Sequence, residues 1–150
     1  KPYRGGQAFE ALRLKTDRYS KQNGKRPQAF MFNYGNPVMR KARAQFSCNF
    51  FACGGFEVVD YPGFNSIEEG VKKCLTLKPE FVVICSSDEE YAEIAPKIYD
   101  KLKDHSLIVV AGYPKDIIEE LQSKGIEHFI HIKSNVLESL KEFQKLAGIK

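Results

Sequence analysis

The stretch FMFNYGNPVMRKARAQFSCNFFACGGFEVVD, Phe30 to Asp60, reads as strand, loop, helix, strand. Ala29–Phe32 is a short apolar run of the kind a sheet covers on both faces. Asn33-Tyr34-Gly35-Asn36 is a loop. Asn36 suits a helix N-cap, because its side chain can accept from orphan amide donors, and Pro37 suits the first helical position, where no amide hydrogen is missed. Val38, Ala42, Phe46 and Phe50 recur four apart, which predicts a helix through Ala52 with that stripe inward and Arg40, Lys41 and Arg43 off it. Gly54-Gly55 ends the helix, and Phe56–Asp60 is a second strand. Strands joined by a helix of this length pair in parallel. Ligands of an open parallel sheet sit at the carboxyl ends of its strands, which here puts the 33–36 loop at the candidate site.

The same alternation continues outward. Pro62 and Gly63 mark a turn over Tyr61–Asn65. Ser66 with Glu69 forms a capping box for a helix to about Leu77, with Ile67, Val71 and Cys74 or Leu75 inward. Phe81–Cys85 is a third apolar run. Ser87 with Glu90 forms a second capping box, opening a helix to about Lys103 in which Tyr91, Ile94, Ile98 and Leu102 share a face; Pro96 falls inside it. Leu107–Ala111 is a fourth strand, Lys115–Ser123 a helix stopped by Gly125, and Ile126–Ile130 a fifth strand. A last helix starts at Ser134 or Asn135, with Val136, Leu140 and Phe143 inward. Before all this, Lys1–Gly6 reads as a loose linker, Gln7–Tyr19 as a helix docking through Phe9 and Leu12, with Leu14 beside them, and Ser20–Pro27 as a loop. The expected organisation is a linker segment with a helix over residues 1–27 and one domain over residues 28–150. Five strands alternating with helices predict an α/β, flavodoxin-like, doubly wound parallel sheet of order 2-1-3-4-5.

At 150 residues, 43% hydrophobic and 28% charged, the chain has the composition of a soluble domain with a real core. It has no apolar span of membrane length, and its net charge of +4 is spread among acidic residues, so neither membrane nor nucleic acid is an expected partner. Cys48, Cys53, Cys74 and Cys85 form no CxxC pair, which argues against a zinc knuckle and for buried thiols in a reducing cytoplasm. Starting at Lys1 in place of Met, the chain is expected to be a fragment or a processed product.

GNPVMRKARAQFSCNFFACGGFEVVD, the leading RGGQAFEALRLKTDRY, the loop CSSDEEYAEIAP, the strand VVAGYP and the tail GIEHFIHIKSNVLESLKEFQ together resemble the C-terminal, cobalamin-binding-type domain of the methylmalonyl-CoA mutase family. The likeness is to the small, non-catalytic subunit of the two-subunit form. It implies an isomerase heterodimer in the cytoplasm, whose large partner subunit binds adenosylcobalamin and interconverts methylmalonyl-CoA and succinyl-CoA. It also implies that the leading segment joins a preceding barrel domain to this one.

In cofactor-binding members of that family an Asp-X-His-X-X-Gly motif follows the first strand, and its histidine ligates cobalt from below. Here the corresponding loop, Asn33-Tyr34-Gly35-Asn36-Pro37-Val38, has neither acid nor imidazole. His105 precedes the fourth strand, His128 falls in or before the fifth, and only His131 is near the right rim. Ser86-Ser87 stands where the family has its serine loop, and Ala111-Gly112 where it has Gly-Gly; Tyr34 and Tyr113 are placed to crowd the same rim. The expectation is therefore a vestigial cofactor rim formed by Asn33, Tyr34, Gly35, Ser86, Ser87, Gly112 and Tyr113. This domain is expected to bind no cofactor, hold no metal and carry no catalytic residue. The alternative is a cobalamin-binding domain without a protein lower ligand. A more remote one is a receiver-like signalling domain, for which Asp88 is the acid after the third strand but the first loop supplies none. Cys85 and His131 share the rim without a spacing that makes them a nucleophile–base pair.

Overall fold

A computed structural model describes residues 4–60, 63–112, 114–131 and 136–149, with side chains from residue 10 onward. Pro62, Tyr113, Ser134 and Asn135, and the side chain of Phe9, therefore lie outside the described part. The elements in order are α1 (Arg4–Asn23), β1 (Gln28–Asn33), α2 (Pro37–Cys53), β2 (Glu57–Asp60), α3 (Ile67–Leu77), β3 (Phe81–Cys85), α4 (Asp88–Leu102), β4 (Leu107–Ala111), α5 (Ile118–Ser123), β5 (His128–Ile130) and α6 (Val136–Leu146). The five strands form one sheet in the order β2-β1-β3-β4-β5, and every pairing is parallel. This is the flavodoxin-like order expected from the alternation.

Because side chains alternate across a strand, each apolar run feeds two cores. Ala29, Met31, Phe81, Val83, Cys85, Val109 and Ala111 face α1, α2 and α6 through Leu12, Ala44, Phe50, Phe51, Leu140 and Phe143. Phe30, Phe32, Val82, Ile84, Ile108 and Val110 face α3, α4 and α5 through Val71, Cys74, Tyr91, Ile98 and Leu121. In the second layer Gly70 lets α3 approach the sheet closely, since a Cβ there would stand 2.3 Å from the Phe32 ring. No helix among the described residues is long and apolar enough to cross a membrane.

The inward face of α2 differs from the sequence expectation. Its buried residues are Ala44, Ser47, Phe50 and Phe51. Val38 is 76% exposed, Ala42 is exposed and Phe46 half-buried. A strict four-residue stripe drifts around a helix of 3.6 residues per turn, so Phe50 is buried, Phe46 packs half-buried against the same core, and Val38 and Ala42 lie off it. The observed face turns past Ala42 and brings Arg43 to its border. Phe51 lies at the centre of an aromatic cluster, with ring centroids 5.3 to 5.7 Å from Phe50, Phe56, Phe81 and Phe143.

Helix α1 is longer than expected at both ends. It takes in Gly5 and Gly6, whose cost in a helix, roughly 1 kcal/mol each, is a penalty and not a prohibition. At its other end Ser20 Oγ donates to Thr16 O and Asn23 Nδ2 to Tyr19 O, so these polar side chains bond back onto the last turns of the helix where a loop was expected. Buried Thr16 donates to Gly54 O at 2.6 Å, and Gln144 Nε2 of α6 donates to Leu12 O at 2.8 Å and Thr16 Oγ1 at 2.9 Å, so α1 is bonded to the ends of two other helices. Three further boundaries shift inward. Residues 115–117 form a turn ahead of α5, the fifth strand starts at His128, and Phe56 turns into the core before β2 begins.

Candidate functional site

The loop after β1 is short because its residues are engaged within the fold. Asn33, 5% exposed, donates from Nδ2 to Asp60 Oδ1 at 2.9 Å and so ties the ends of β1 and β2. Tyr34 donates its backbone N–H to Cys85 O at 3.3 Å, joining the ends of β1 and β3, and its half-buried ring packs on the α3–α4–α5 side of the sheet. Gly35 has φ +89, and a Cβ there would stand 2.3 Å from Glu90 Oε2. Asn36 caps α2, its Oδ1 accepting from the amides of Val38 and Met39 at 3.0 and 3.1 Å. Both capping donors of that first turn are therefore satisfied from inside the chain.

Glu90 gathers the opposite loop. Its Oε1 accepts from Asn36 N at 2.9 Å, Ser86 Oγ at 2.8 Å, Ser87 Oγ at 2.7 Å and Ser87 N at 3.4 Å. One carboxylate oxygen thus clasps the β1 loop to the β3 loop. Burial raises the pKa of this carboxyl, but the bonds from Asn36, Ser87 and Ser86 outweigh it and hold the group below its usual range.

Beside this clasp lies a second network. Tyr91, fully buried, accepts from Ser86 N at 3.1 Å and donates to Ala111 O. Arg43 reaches from α2 across the sheet edge: Nη1 donates to Ala111 O at 2.6 Å and Nη2 to Asp88 Oδ1 at 2.9 Å, with Nη1 3.4 Å from Tyr91 Oη. Burial lowers the Arg43 pKa, but Tyr91 and Asp88 raise it more, so the guanidinium stays charged. Burial pushes the Tyr91 phenol up, so the hydroxyl stays protonated and neutral. Next to Ala111, Gly112 has φ +137, and a Cβ on it would stand 2.0 Å from Arg43 Nη1.

Of the residues singled out from the sequence, Asn33, Tyr34, Gly35, Ser86 and Ser87 meet at this edge, and Gly112 joins them through Arg43 and Tyr91; Tyr113 lies outside the described residues. Ser87 is the N-cap position of α4. Asp88, the acid a receiver domain would phosphorylate, is paired with Arg43. His128 Nδ1 lies 3.7 Å from Glu142 Oε2, between β5 and α6, and His105 follows α4 at the opposite end of the sheet. Half-buried His131 follows β5. Cys85 is fully buried and its thiol is pushed up by burial, which suits packing and not nucleophilic attack. Among the described residues no three metal-ligating side chains cluster.

Arg43, Tyr91 and Glu90 join the rim beyond the residues expected there from sequence. In local sequence Glu90 has the place of a cap partner and Tyr91 that of a core residue, and nothing nearby marks either for the rim. The signal for Arg43 lay in the 3.6 period: it precedes Ala44 on the buried face, so a long cation there must reach over the sheet edge to find acceptors. Alongside, a groove of ≈ 680 Å³ runs between α2 and the ends of β1 and β2, bordered by Arg40, Lys41, Gln45, Asn49 and Asp60.

No family model matches the chain. Individual proteins do. It is 49% identical over 147 residues to a methylmalonyl-CoA mutase small subunit of Porphyromonas gingivalis, covering 98% of this chain and 23% of that relative. It is 33% identical over 100 residues to the small subunit from Streptomyces virginiae, covering 67% of this chain and 16% of the relative. A probable small subunit of Mycobacterium tuberculosis is 26% identical over 142 residues, covering 93% of this chain and 23% of that protein. The chain thus spans about a quarter or less of the length of the curated relatives it matches. Among solved structures, a cobalamin-binding protein from Desulfitobacterium hafniense superposes with a TM-score of 0.58 at 18% identity, over 96% of this chain and 71% of that one, which is a likeness of fold. Matched along almost its whole length at 49% identity, the chain belongs to the methylmalonyl-CoA mutase small-subunit family.

Proposed function

We propose that this domain is a structural module of a mutase assembly. In this reading it has the cobalamin-binding fold, holds no cobalamin itself, and supports pairing with a large subunit. The large subunit binds adenosylcobalamin and interconverts methylmalonyl-CoA and succinyl-CoA in the cytoplasm. The rim formed by Asn33, Tyr34, Gly35, Ser86, Ser87, Gly112 and Tyr113 is a vestige of the cofactor site. The relatives' names carry the assembly, since they are small subunits of that enzyme.

The observation that carries the cofactor part of this reading is the state of the first loop. It has no imidazole to offer a metal, its helix is capped at once by Asn36, and it is clasped from within by Glu90. A lower histidine ligand needs a neutral ring held on that loop, usually oriented by a carboxylate behind it. The carboxylate nearby, Glu90, is spent on Asn36, Ser86 and Ser87. Opening space for the cofactor's tail there would break these bonds and leave amide donors of α2 unsatisfied. The residues present do not fit cobalamin held in that manner.

The test is to mix the protein with cobalamin and follow the visible spectrum alongside equilibrium dialysis. The expected outcome is an unchanged spectrum and no retained cofactor. Retention with a shift to the histidine-ligated form overturns the reading, and loss of that shift in His131→Ala would identify the ligand. Retention without a spectral shift would favour a cobalamin-binding domain lacking a protein ligand.

A further inference from the structure

Three kinds of acceptor converge on one point at the carboxyl end of β4. The carbonyl of Ala111, the carboxylate of Asp88 and the hydroxyl of Tyr91 all surround the Arg43 guanidinium, at 2.6, 2.9 and 3.4 Å. The guanidinium carbon also stands 5.8 Å from the centre of the Tyr91 ring, within cation–π range. Arg43 comes from α2, on one face of the sheet, while Asp88 and Tyr91 belong to α4, on the other. Its side chain therefore crosses the edge where this class of fold takes its ligands.

The seat is shaped for that cation. Arg43 is only 19% exposed at its side chain, and withdrawing a guanidinium from water is unfavourable unless its donors find acceptors. Gly112 leaves its Cα bare at φ +137, where any Cβ would collide with Nη1. Glycine and arginine thus share one volume. Planarity is matched too, since carbonyl and carboxylate receive the two terminal nitrogens of the fork separately.

We infer that Ala111 O, Asp88 and Tyr91 form a site for a small planar cation, and that Arg43 is its built-in occupant, closing the crevice to ligands from outside. This rests on the structural-module reading only in one respect, that no ligand displaces Arg43 in the native protein. The ligand class follows from the acceptors: a guanidinium or similar flat cation, with the free guanidinium ion as its smallest member. Arg43→Ala removes the occupant and leaves every acceptor in place.

The experiment is a titration of Arg43→Ala with guanidinium chloride at low, non-denaturing concentration, with sodium chloride and urea as controls. The expected result is a saturable shift of the amide signals of Asp88, Tyr91 and Gly112, with a rise in melting temperature that follows ligand linkage. Neither control nor the wild-type protein should give it. Adding Asp88→Asn should weaken guanidinium binding about two- to fivefold, the effect of removing a charged acceptor that is itself half exposed. A folded Arg43→Ala without a saturable shift, or the same shift in wild type, overturns the inference. Should Arg43→Ala not fold, the guanidinium Nη protons of Arg43 in wild type decide, since Nη1 and Nη2 make the bonds of the seat. Exchange with water as fast as at exposed Arg18 refutes the seat, while slow exchange that Asp88→Asn accelerates about two- to fivefold supports it. Cobalamin binding by the wild-type protein would sink the structural-module reading without altering these results, and a silent titration would do the reverse.

Discussion

Replacing Glu90 by alanine tests whether the first loop is held shut by a single carboxylate. Its Oε1 accepts from Ser86 Oγ, Asn36 N and the hydroxyl and amide of Ser87. These donors differ in what happens when the acceptor goes. Ser86 is 0% exposed, so its hydroxyl loses a partner that water cannot readily replace, at about 1–3 kcal/mol. Asn36 is exposed and Ser87 half-buried, so their donors rehydrate and together add only about 0.5 kcal/mol. The expected loss for Glu90→Ala is thus about 1.5–3.5 kcal/mol, read by urea unfolding with circular dichroism. Glu90→Gln, which keeps a neutral acceptor, should lose about half as much. For a chain of this size that loss corresponds to a fall in melting temperature of roughly 3–14 °C. There is a pH signature as well. Hydrogen bonds depress the carboxyl's pKa in the folded state despite burial, which acts the other way. Its contribution is therefore fully present above the unfolded value, about 4.3, and is lost as pH falls through the folded value. The deficit of Glu90→Ala should be constant near neutrality and shrink in acid. A variant within about 0.5 kcal/mol of wild type at neutral pH, or a deficit that grows on acidification, would refute the clasp.

The face of α2 gives a paired test: Phe51→Ala should cost about 3–5 kcal/mol and Phe46→Ala clearly less, since Phe51 is 0% exposed and Phe46 half-buried, and equal losses in denaturant titrations would mean the helix is rotated from the face described. Gly112→Ala should destabilise by about 1–3 kcal/mol in thermal melts, because φ +137 strains any side chain and the new methyl meets Arg43; a neutral substitution would show that the guanidinium is not seated there. In the folded protein at mildly alkaline pH, exposed Cys53 should react with a thiol reagent well before the others. Burial, with Asp60 adding to it, pushes Cys48 up to about 11, burial pushes Cys74 up to about 12, and Cys85 is fully buried. Cys48 or Cys85 modified at the rate of Cys53 would contradict this.

Much of the architecture was legible in residue order because its signals are local. The runs Phe81–Cys85 and Leu107–Ala111 are strands at those bounds, and Asn36-Pro37, Ser66 and Ser87 open helices where their capping chemistry says they should. Caps and apolar runs act within a few residues, so neighbours in sequence suffice to read them. The sheet order followed from the count of alternating strands, because connections in such folds are short and of one hand. The loop residues Asn33, Gly35, Ser86 and Ser87 were also legible as an edge, since carboxyl ends of parallel strands fall together.

What tertiary structure alone decided is which side chains fill that edge. Whether Phe46 or Phe51 turns inward depends on how α2 rotates against the sheet and α6, and a four-residue count cannot resolve that from a 3.6-residue helix. The rotation then sets Arg43 over Ala111, 68 positions away in sequence, and Glu90 under Asn36, 54 positions away. Contacts at such separations leave no local mark, because a charged residue on a helix reads as a solvated one until the fold supplies its partner. The chain's own order settled the scaffold and the absence of an imidazole from its first loop; only the packing of α2 and α4 across the sheet edge determined that an arginine and a glutamate occupy the place where this fold receives a ligand.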